Sequence, residues 1–383
     1  MKYKLIDLLD FKTQGVNTTT DHISYVEKGY KIVQAKNIAP YNITFDESNF
    51  VDEETFSRIK DNHKLHKGEV LYTNIGSQLG NSAIYEFDDE AIITWNVMKL
   101  IPNKDIIDNY YLCYLLNSNK PYIKALNTSS TMPFVSGKAL MNVEFEVPDL
   151  RIQKKVIKVL KNIEDKIKLN NEINNNLREL CKTNYLRIIE ENSVEISLSE
   201  LMDYQGGSQP PASEFQKEKN ENNIRFVQIR DFETDSYICY IPNSNKNKLC
   251  NKDDILIARY GASLGRICYG LSGAYNVALA KALPKKAEYK ELLRVILESD
   301  DFYNYINQVG QRSAQAGFNA GDIAGYTVII PNENGLKVFN SISKNVIDKR
   351  LLMIEENRKL SELRDTLLPK LMNGEIDLDN IEI

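Results

Sequence analysis

Residues 151–192 and 333–370 are two versions of one long amphipathic segment, and each follows a version of the same larger unit. Ile163-Glu164-Asp165-Lys166 recurs as Val346-Ile347-Asp348-Lys349. Leu177, Leu180 and Thr183 recur as Leu360, Leu363 and Thr366, all at an offset of 183 residues. The chain therefore divides into globule (1–150), helix (151–192), globule (193–332), and helix with tail (333–383). It is an internal dimer, and its function must lie in what two similar but non-identical globules can do.

The globules match in blocks. Tyr30-Lys31-Ile32-Val33-Gln34-Ala35-Lys36-Asn37-Ile38 corresponds to residues 224–232, and the alternation of apolar and polar residues predicts a strand through each. Residues 67–81 then match 252–266. A turn opens a short strand in each, which ends at a loop with two glycines four residues apart, Gly76 and Gly80 or Gly261 and Gly265. Trp95-Asn96-Val97 and Tyr275-Asn276-Val277 come next, each ahead of a strand closing at Pro102 or Pro284. Helices are expected around 107–118 and 287–299, then a polar stretch and a terminal strand. Strands mixed with few helices predict an α+β fold.

Beyond each globule the apolar spacing changes to three or four. Ile163, Ile167, Asn174 and Leu177 in the first segment, and Val346, Met353, Asn357 and Leu360 in the second, form a coiled-coil-like stripe. The two stripes most simply cover each other. An antiparallel coiled coil would relate the globules by a pseudo-twofold. Asn174 and Asn357 occupy matching seam positions, either buried to fix register or facing solvent at the edge. The second segment meets Pro369, which lacks a helix donor, and then Gly374.

Bulk properties narrow the class. No apolar run approaches the ~18 residues of a membrane span. Asp7 and Asp10 interrupt the stretch where a signal peptide would be apolar, so a cytoplasmic protein without a membrane partner is expected. Five cysteines without a CxxC favour reduced thiols. His63 and His66 have helical ligand spacing, but no third ligand completes a set. The charge is −5 over 1–150, +4 over 151–192, −2 over 193–332 and −2 over 333–383. A free-standing DNA binder is usually basic, so any DNA affinity must come from concentrated cations or from another subunit.

Catalytic motifs are missing. Gly206-Gly207 and the Gly76/Gly80 pair do not make GxGxxG, and Ser136-Gly137-Lys138-Ala139 lacks the other elements of a P-loop. Gln209-Pro210-Pro211-Ala212 is not the Asn/Asp-Pro-Pro-aromatic loop of adenine methyltransferases. Pro148-Asp149 with Gln153-Lys154-Lys155 has no acidic partner for nuclease chemistry. No bound cofactor and no catalysis are expected in this chain.

With its tandem layout, the chain resembles the specificity subunits of Type I restriction-modification systems over nearly its whole length. The resemblance rests on Lys67-Gly68-Glu69-Val70-Leu71 with Gly76 and Gly80 and their copies at 252–265, and on Val147-Pro148-Asp149-Leu150-Arg151-Ile152-Gln153. It rests most specifically on Leu363-Arg364-Asp365-Thr366-Leu367-Leu368-Pro369-Lys370-Leu371-Met372-Asn373-Gly374-Glu375-Ile376. One departure is that Gly335 or Leu336 stands where the first copy has Gln153. The resemblance implies two tandem α+β target-recognition domains, each reading half of a split site on double-stranded DNA. It implies that the two long helices, packed as an antiparallel coiled coil, measure the spacer and dock two methyltransferase (M) subunits. Those carry S-adenosylmethionine and methylate adenine, and motor-nuclease (R) subunits join them for restriction.

Loops at the strand ends are the candidate DNA contacts. In the first globule these are Thr73, Asn74, Ser77, Gln78 and Asn81, and in the second Arg259, Tyr260, Ser263 and Arg266. Arg can grip guanine or phosphate with two donors. An ordinary hairpin turn is the competing reading of this loop. The polar stretches add Ser129, Ser130 and Thr131, with Arg312, Ser313 and Gln315. Lys36 and Arg230 stand at matched strand exits as phosphate contacts or solvated cations. Asn96 and Asn276 are identical in both copies and so suit structural hydrogen bonds rather than readout. The rival for the whole chain is a coiled-coil scaffold whose globules bind peptides or a protein, which the acidic balance favours.

Overall fold

The two globules fold into corresponding strands in the same order. The computed structural model describes residues 1–45, 49–127, 129, 131–189, 193–310, 317–376 and 378. The chain forms two compact units, Met1–Lys166 with Leu360–Ile383, and Ile167–Lys359.

The first unit holds an antiparallel sheet ordered Leu9–Gln14, Val97–Pro102, Val70–Thr73, Ser82–Ile84. A mixed sheet runs Asn49–Val51, Tyr30–Val33, Ala91–Ile93, Lys64–Leu65, with its central pair parallel. The second unit repeats both. Its antiparallel sheet is Met202–Gly206, Leu279–Pro284, Leu256–Ala258, Ile267–Cys268. Its mixed sheet is Cys239–Pro242, Asn223–Val227, Gly273–Tyr275, Leu249–Cys250, again with a parallel central pair. The terminal strand of each globule pairs with its first, Glu144–Glu146 with Lys2–Lys4 and Thr327–Pro331 with Ser193–Ser197.

Strand periodicity explains why both faces of the central strands are buried. Val70 and Tyr72 face a core shared with the helical residues Tyr111 and Leu115, whereas Leu71 faces the mixed sheet alongside Val33 and Ile93. In the second unit Ile255 and Ile257 face Leu292, Leu293 and Phe302, and Leu256 faces Val227 and Tyr275. Each such side chain contributes roughly 1.5–3 kcal/mol. The expected strand through 30–38 is shorter than its alternation suggested. It ends at Val33, and residues 35–37 form a 3-10 turn in which Asn37 Oδ1 accepts from Gln34 N at 2.9 Å. Asp231 does the same for Gln228 N at 3.0 Å. The turn keeps every second residue inward, so it mimics a strand in sequence.

A lysine joins the two sheets in each unit. Lys99, 2% exposed, sends its ammonium to Lys64 O at 2.6 Å and to Glu69 Oε1 at 3.1 Å. Lys281 reaches Leu249 O at 2.9 Å and Asp254 Oδ2 at 3.1 Å. The acid of each pair is also fixed by a backbone donor, His66 N to Glu69 at 2.9 Å and Asn251 N to Asp254 at 2.9 Å.

The long helices are Leu150–Ile189 and Glu333–Met372. Asp149 and Asn332 cap them, accepting from Ile152 N at 3.0 Å and Gly335 N at 2.9 Å. Gln153 is wholly buried and bonds Asp108 N, Ile106 O and Pro148 O, while at the matched position Leu336 packs in the apolar core. That is the physical content of the departure between the two starts. The second helix passes through Pro369 to Met372 and stops at Gly374, whose φ is +69°. The missing proline donor therefore does not end it.

Within each unit the helical segments run antiparallel. In the first, Lys155 Nζ reaches Leu378 O at 3.1 Å, and Val156 and Leu160 share a core with Leu368 and Leu371. In the second, Tyr185 meets Phe339 edge-on at 6.5 Å and Asn170 meets Asn357. Ile163 and Val346 are buried in the stripe, and Ile167, Asn174, Leu177, Met353, Asn357 and Leu360 are partly so. The asparagine pairing crosses the repeat. Buried Asn170 donates to Asn357 Oδ1 and Glu356 Oε2, both at 2.8 Å, and Asn357 donates to Asn171 Oδ1 at 2.8 Å. Asn174, the repeat mate of Asn357, has its Oδ1 buried without a partner. Among the described residues no helix is long and apolar enough to cross a membrane.

Where the first helix meets its globule, Tyr114 donates to Glu164 Oε2 at 3.0 Å, and Glu164 Oε1 is buried without a partner. Burial pushes the Glu164 carboxyl up from 4.5 to about 7, against the opposing pull of the Tyr114 hydrogen bond and of Arg364.

Two outcomes follow from these contacts. Replacing Lys99 by Met removes one partner of a buried pair and should cost about 3–5 kcal/mol in denaturant unfolding, and Lys281→Met, at a more open pair, should cost less. The raised Glu164 holds its proton in the folded state to higher pH than in the unfolded chain. Stability should therefore fall by about 3 kcal/mol as pH rises from about 4.5 to about 7. Glu164→Gln should abolish that fall in unfolding curves measured across the window.

Candidate nucleic-acid interface

The two-glycine loop is the connection of an antiparallel hairpin in both units, and its backbone is the same in each. Gly80 N bonds Thr73 O at 2.8 Å and Leu79 N bonds Gly76 O at 3.0 Å; Gly265 N bonds Ala258 O at 2.9 Å and Leu264 N bonds Gly261 O at 3.1 Å. The glycines have φ of +101°, +88°, +69° and +83°, a region that side chains resist. Leu79 and Leu264 are buried and anchor the loops.

This frame sorts the candidate residues. Ser77 and Gln78 are exposed, as is Tyr260, and Ser263 and Arg259 are half-buried. Thr73, Asn74 and Asn81 are instead buried and hold the loop from within. Asn81 donates to Ile38 O at 2.7 Å and to Gln78 Oε1 at 2.9 Å, and it accepts from Lys120, whose burial lowers its pKa to about 8. Asn74 exchanges hydrogen bonds with Gln14 at 2.9 and 3.2 Å. Arg266 is engaged by Glu233. Strand ends place a polar residue inward as readily as outward, and only the fold distinguishes them.

The structure brings the second polar stretch against this hairpin. Gly76 N bonds Pro133 O at 2.8 Å and Val135 N bonds Asn74 O at 3.1 Å. Asn127 organises the stretch by accepting from Ser129 N at 3.1 Å and Phe134 N at 2.8 Å. Thr131 is exposed and Ser129 half-buried. In the second unit Tyr260 bridges to Gly317. Ser130, Arg312, Ser313 and Gln315 lie outside the described residues. Lys36 and Arg230 are exposed on the 3-10 turns, and Arg230 lies over the Tyr237 ring at 4.8 Å.

A third segment joins the same end of the antiparallel sheet and was not among the sequence candidates. Val16 bridges to Thr94, and Ser208 to Asn276. The preceding Gly15 and Gly207 lie so close to the neighbouring carbonyls that a Cβ would stand 2.4 and 2.1 Å away. These bridges correct the register of the repeat. Thr73 pairs with Val97 and Ala258 with Leu279, so Trp95 matches Val277 and not Tyr275. Trp95 and Val277 are exposed, whereas Tyr275 is buried and matches Ile93. The offset of Pro102 to Pro284 carries that signal in sequence. Asn276 holds the turn, donating to Gln209 Oε1 at 2.6 Å and accepting from Ala278 N at 2.7 Å; Asn96 accepts from Thr94 Oγ1 at 2.5 Å.

In each unit three loops thus meet at one sheet end. The first offers Ser77, Gln78, Trp95 and Met132, and the second Arg259, Tyr260 and Val277. Such a surface suits stacking, hydrogen bonding and charge pairing with nucleic acid. Among the described residues no group of three or more His, Cys, Asp or Glu is placed to hold a metal.

Comparison with known proteins bears on this surface. Residues 19–179 match the family described as Type I restriction modification DNA specificity domain. The Type I restriction enzyme HindI specificity subunit of Haemophilus influenzae is 21% identical over 82% of this chain and 87% of its own. The MjaIX specificity subunit of Methanocaldococcus jannaschii is 24% identical over 82% and 79%. The crystal structure of a Type-I restriction-modification system S subunit from M. genitalium has the same fold. Its TM-score is 0.53 at 17% identity, covering 97% of this chain and 95% of that one.

Trp95 is the only tryptophan of the chain and is 42% exposed. Its fluorescence in the folded protein should be readily quenched by acrylamide and emit close to the denatured position. A blue-shifted, protected emission would contradict the loop arrangement.

Proposed function

We propose that this chain, whose residues 19–179 match the family described as Type I restriction modification DNA specificity domain, reads a bipartite and asymmetric target on double-stranded DNA, one part with each unit. In this reading it is not itself an enzyme. It docks two methyltransferase subunits that bring S-adenosylmethionine and methylate adenine, and through them the motor-nuclease subunit. The observation that carries the reading is one loop frame built twice with different outward residues. Ser77 and Gln78 stand where the second unit has Ala262 and Ser263, and Trp95 stands where it has Val277. Identical frames give both units the same approach to a duplex, and differing side chains give them different bases. The net charge of −5 fits a chain whose partners complete the clamp around DNA, and it predicts weak, salt-sensitive binding by the chain alone.

The test is to reconstitute the chain with methyltransferase subunits of a Type I system from the same genome, treat unmodified genomic DNA, and sequence the methylated adenines. The expected result is one motif of two different short blocks separated by a fixed unread spacer. Methylation without regard to flanking sequence would sink the proposal, as would a stable complex that never engages DNA, which is the behaviour of a protein-binding scaffold.

A further inference from the structure

One position in the shared loop frame is built on opposite principles in the two units. Gln14 pairs with Met98 and Gly206 with Ala280, so the Gln14–Asn74 pair of the first unit matches Gly206–Arg259 of the second. In the first unit two amides satisfy each other. Gln14 Nε2 donates to Asn74 Oδ1 at 2.9 Å, Asn74 Nδ2 returns a bond to Gln14 Oε1 at 3.2 Å, and Asn74 is 1% exposed. Nothing of Asn74 is left for a ligand. In the second unit the glycine leaves that space open and the Arg259 guanidinium fills it: a Cβ on residue 206 would stand 2.9 Å from Nη1. The guanidinium carbon lies 4.9 Å from the centre of the Tyr260 ring and 6.0 Å from that of Tyr204.

Arg259 differs from most arginines of its unit, which are held by carboxylates. Arg225 and Arg358 are held by Asp235, Arg266 by Glu233, and Arg350 by Glu298. Among the described residues Arg259 forms no ion pair, and its Nε is screened from solvent without an acceptor. In an acidic chain, a guanidinium left without a carboxylate, steadied by tyrosine rings and placed beside an exposed loop, is prepared for an external acceptor. The planar fork matches two acceptors at once, as on the O6/N7 edge of guanine or on a phosphate.

We infer that Arg259 is the cation with which the second unit grips a pair of acceptors on DNA, that Gly206 positions it by leaving room for its guanidinium, and that the first unit has no counterpart. This rests on the DNA-reading role proposed above and adds to it a named group and an asymmetry between the units.

The test uses the reconstituted methyltransferase complex carrying Arg259→Ala, Arg259→Lys or Gly206→Ala, with thermal melts to establish that each variant is folded. Arg259→Ala should lower methylation of the target on the order of tenfold or more, and Gly206→Ala should lower it in the same direction. If the acceptors are a guanine edge, Arg259→Ala and Arg259→Lys both relax one G·C position in one block of the motif. If they are a phosphate, Arg259→Lys keeps the motif, while Arg259→Ala weakens binding evenly across sequences and reduces the salt slope by about 1. A folded Arg259→Ala complex with unchanged motif and affinity overturns the inference, as does loss of sequence definition in both blocks. A wild-type complex lacking a two-block motif would instead sink the functional reading itself.

Discussion

An ammonium group between two sheets fixes the geometry on which the rest of each unit depends. Lys99 and Lys281 arise from the middle strand of the antiparallel sheet and bond a carbonyl on the edge strand of the mixed sheet. Neither position tolerates a one-residue slip, because a shift would turn the lysine into the helix-facing core and expose Leu71 or Leu256 to the wrong side. With the register held, the hairpin that follows must turn at the same place in both units. The left-handed glycines and buried Leu79 or Leu264 then set its shape. Only residues outside this frame are free to differ, and these are the ones at the loop surface.

The helices obey a related division. Their apolar stripe is repeated at a constant offset, yet antiparallel packing sets unlike members of the repeat against each other. Asn170 meets Asn357 because of that crossing, and Asn174 is left with an unpaired oxygen. A polar contact of this kind stabilises less than leucine would but favours one register over its neighbours. The starts of the two helices show the same economy. Asp149 and Asn332 cap them alike, while Gln153 and Leu336 suit the different loops beneath them.

Much of this was legible in the sequence. The glycine loops, the prolines closing the middle strands and the two amphipathic segments carry their geometry locally, through φ angles and periodicity. What was not legible depended on tertiary contact. The strand through 30–38 was read too long because its 3-10 turn preserves the alternation of inward residues. Thr73, Asn74 and Asn81 looked like outward polar residues and are buried, since a strand end gives no sign of which way it faces. Gly15 and Gly207 matter only because a neighbouring carbonyl lies against them. Trp95 was matched to Tyr275 by aromatic likeness, and pairing across the sheet moves it to Val277.

The central claim is that each unit carries its own half of a DNA specificity and that the surrounding scaffold is common to both. Replacing residues 193–332 by a second copy of residues 1–150 tests this most directly, with the methylated motif of the reconstituted complex as the readout. The account predicts that the block read by the second unit disappears and the block read by the first occupies both positions. Retention of the original two-block motif would contradict it.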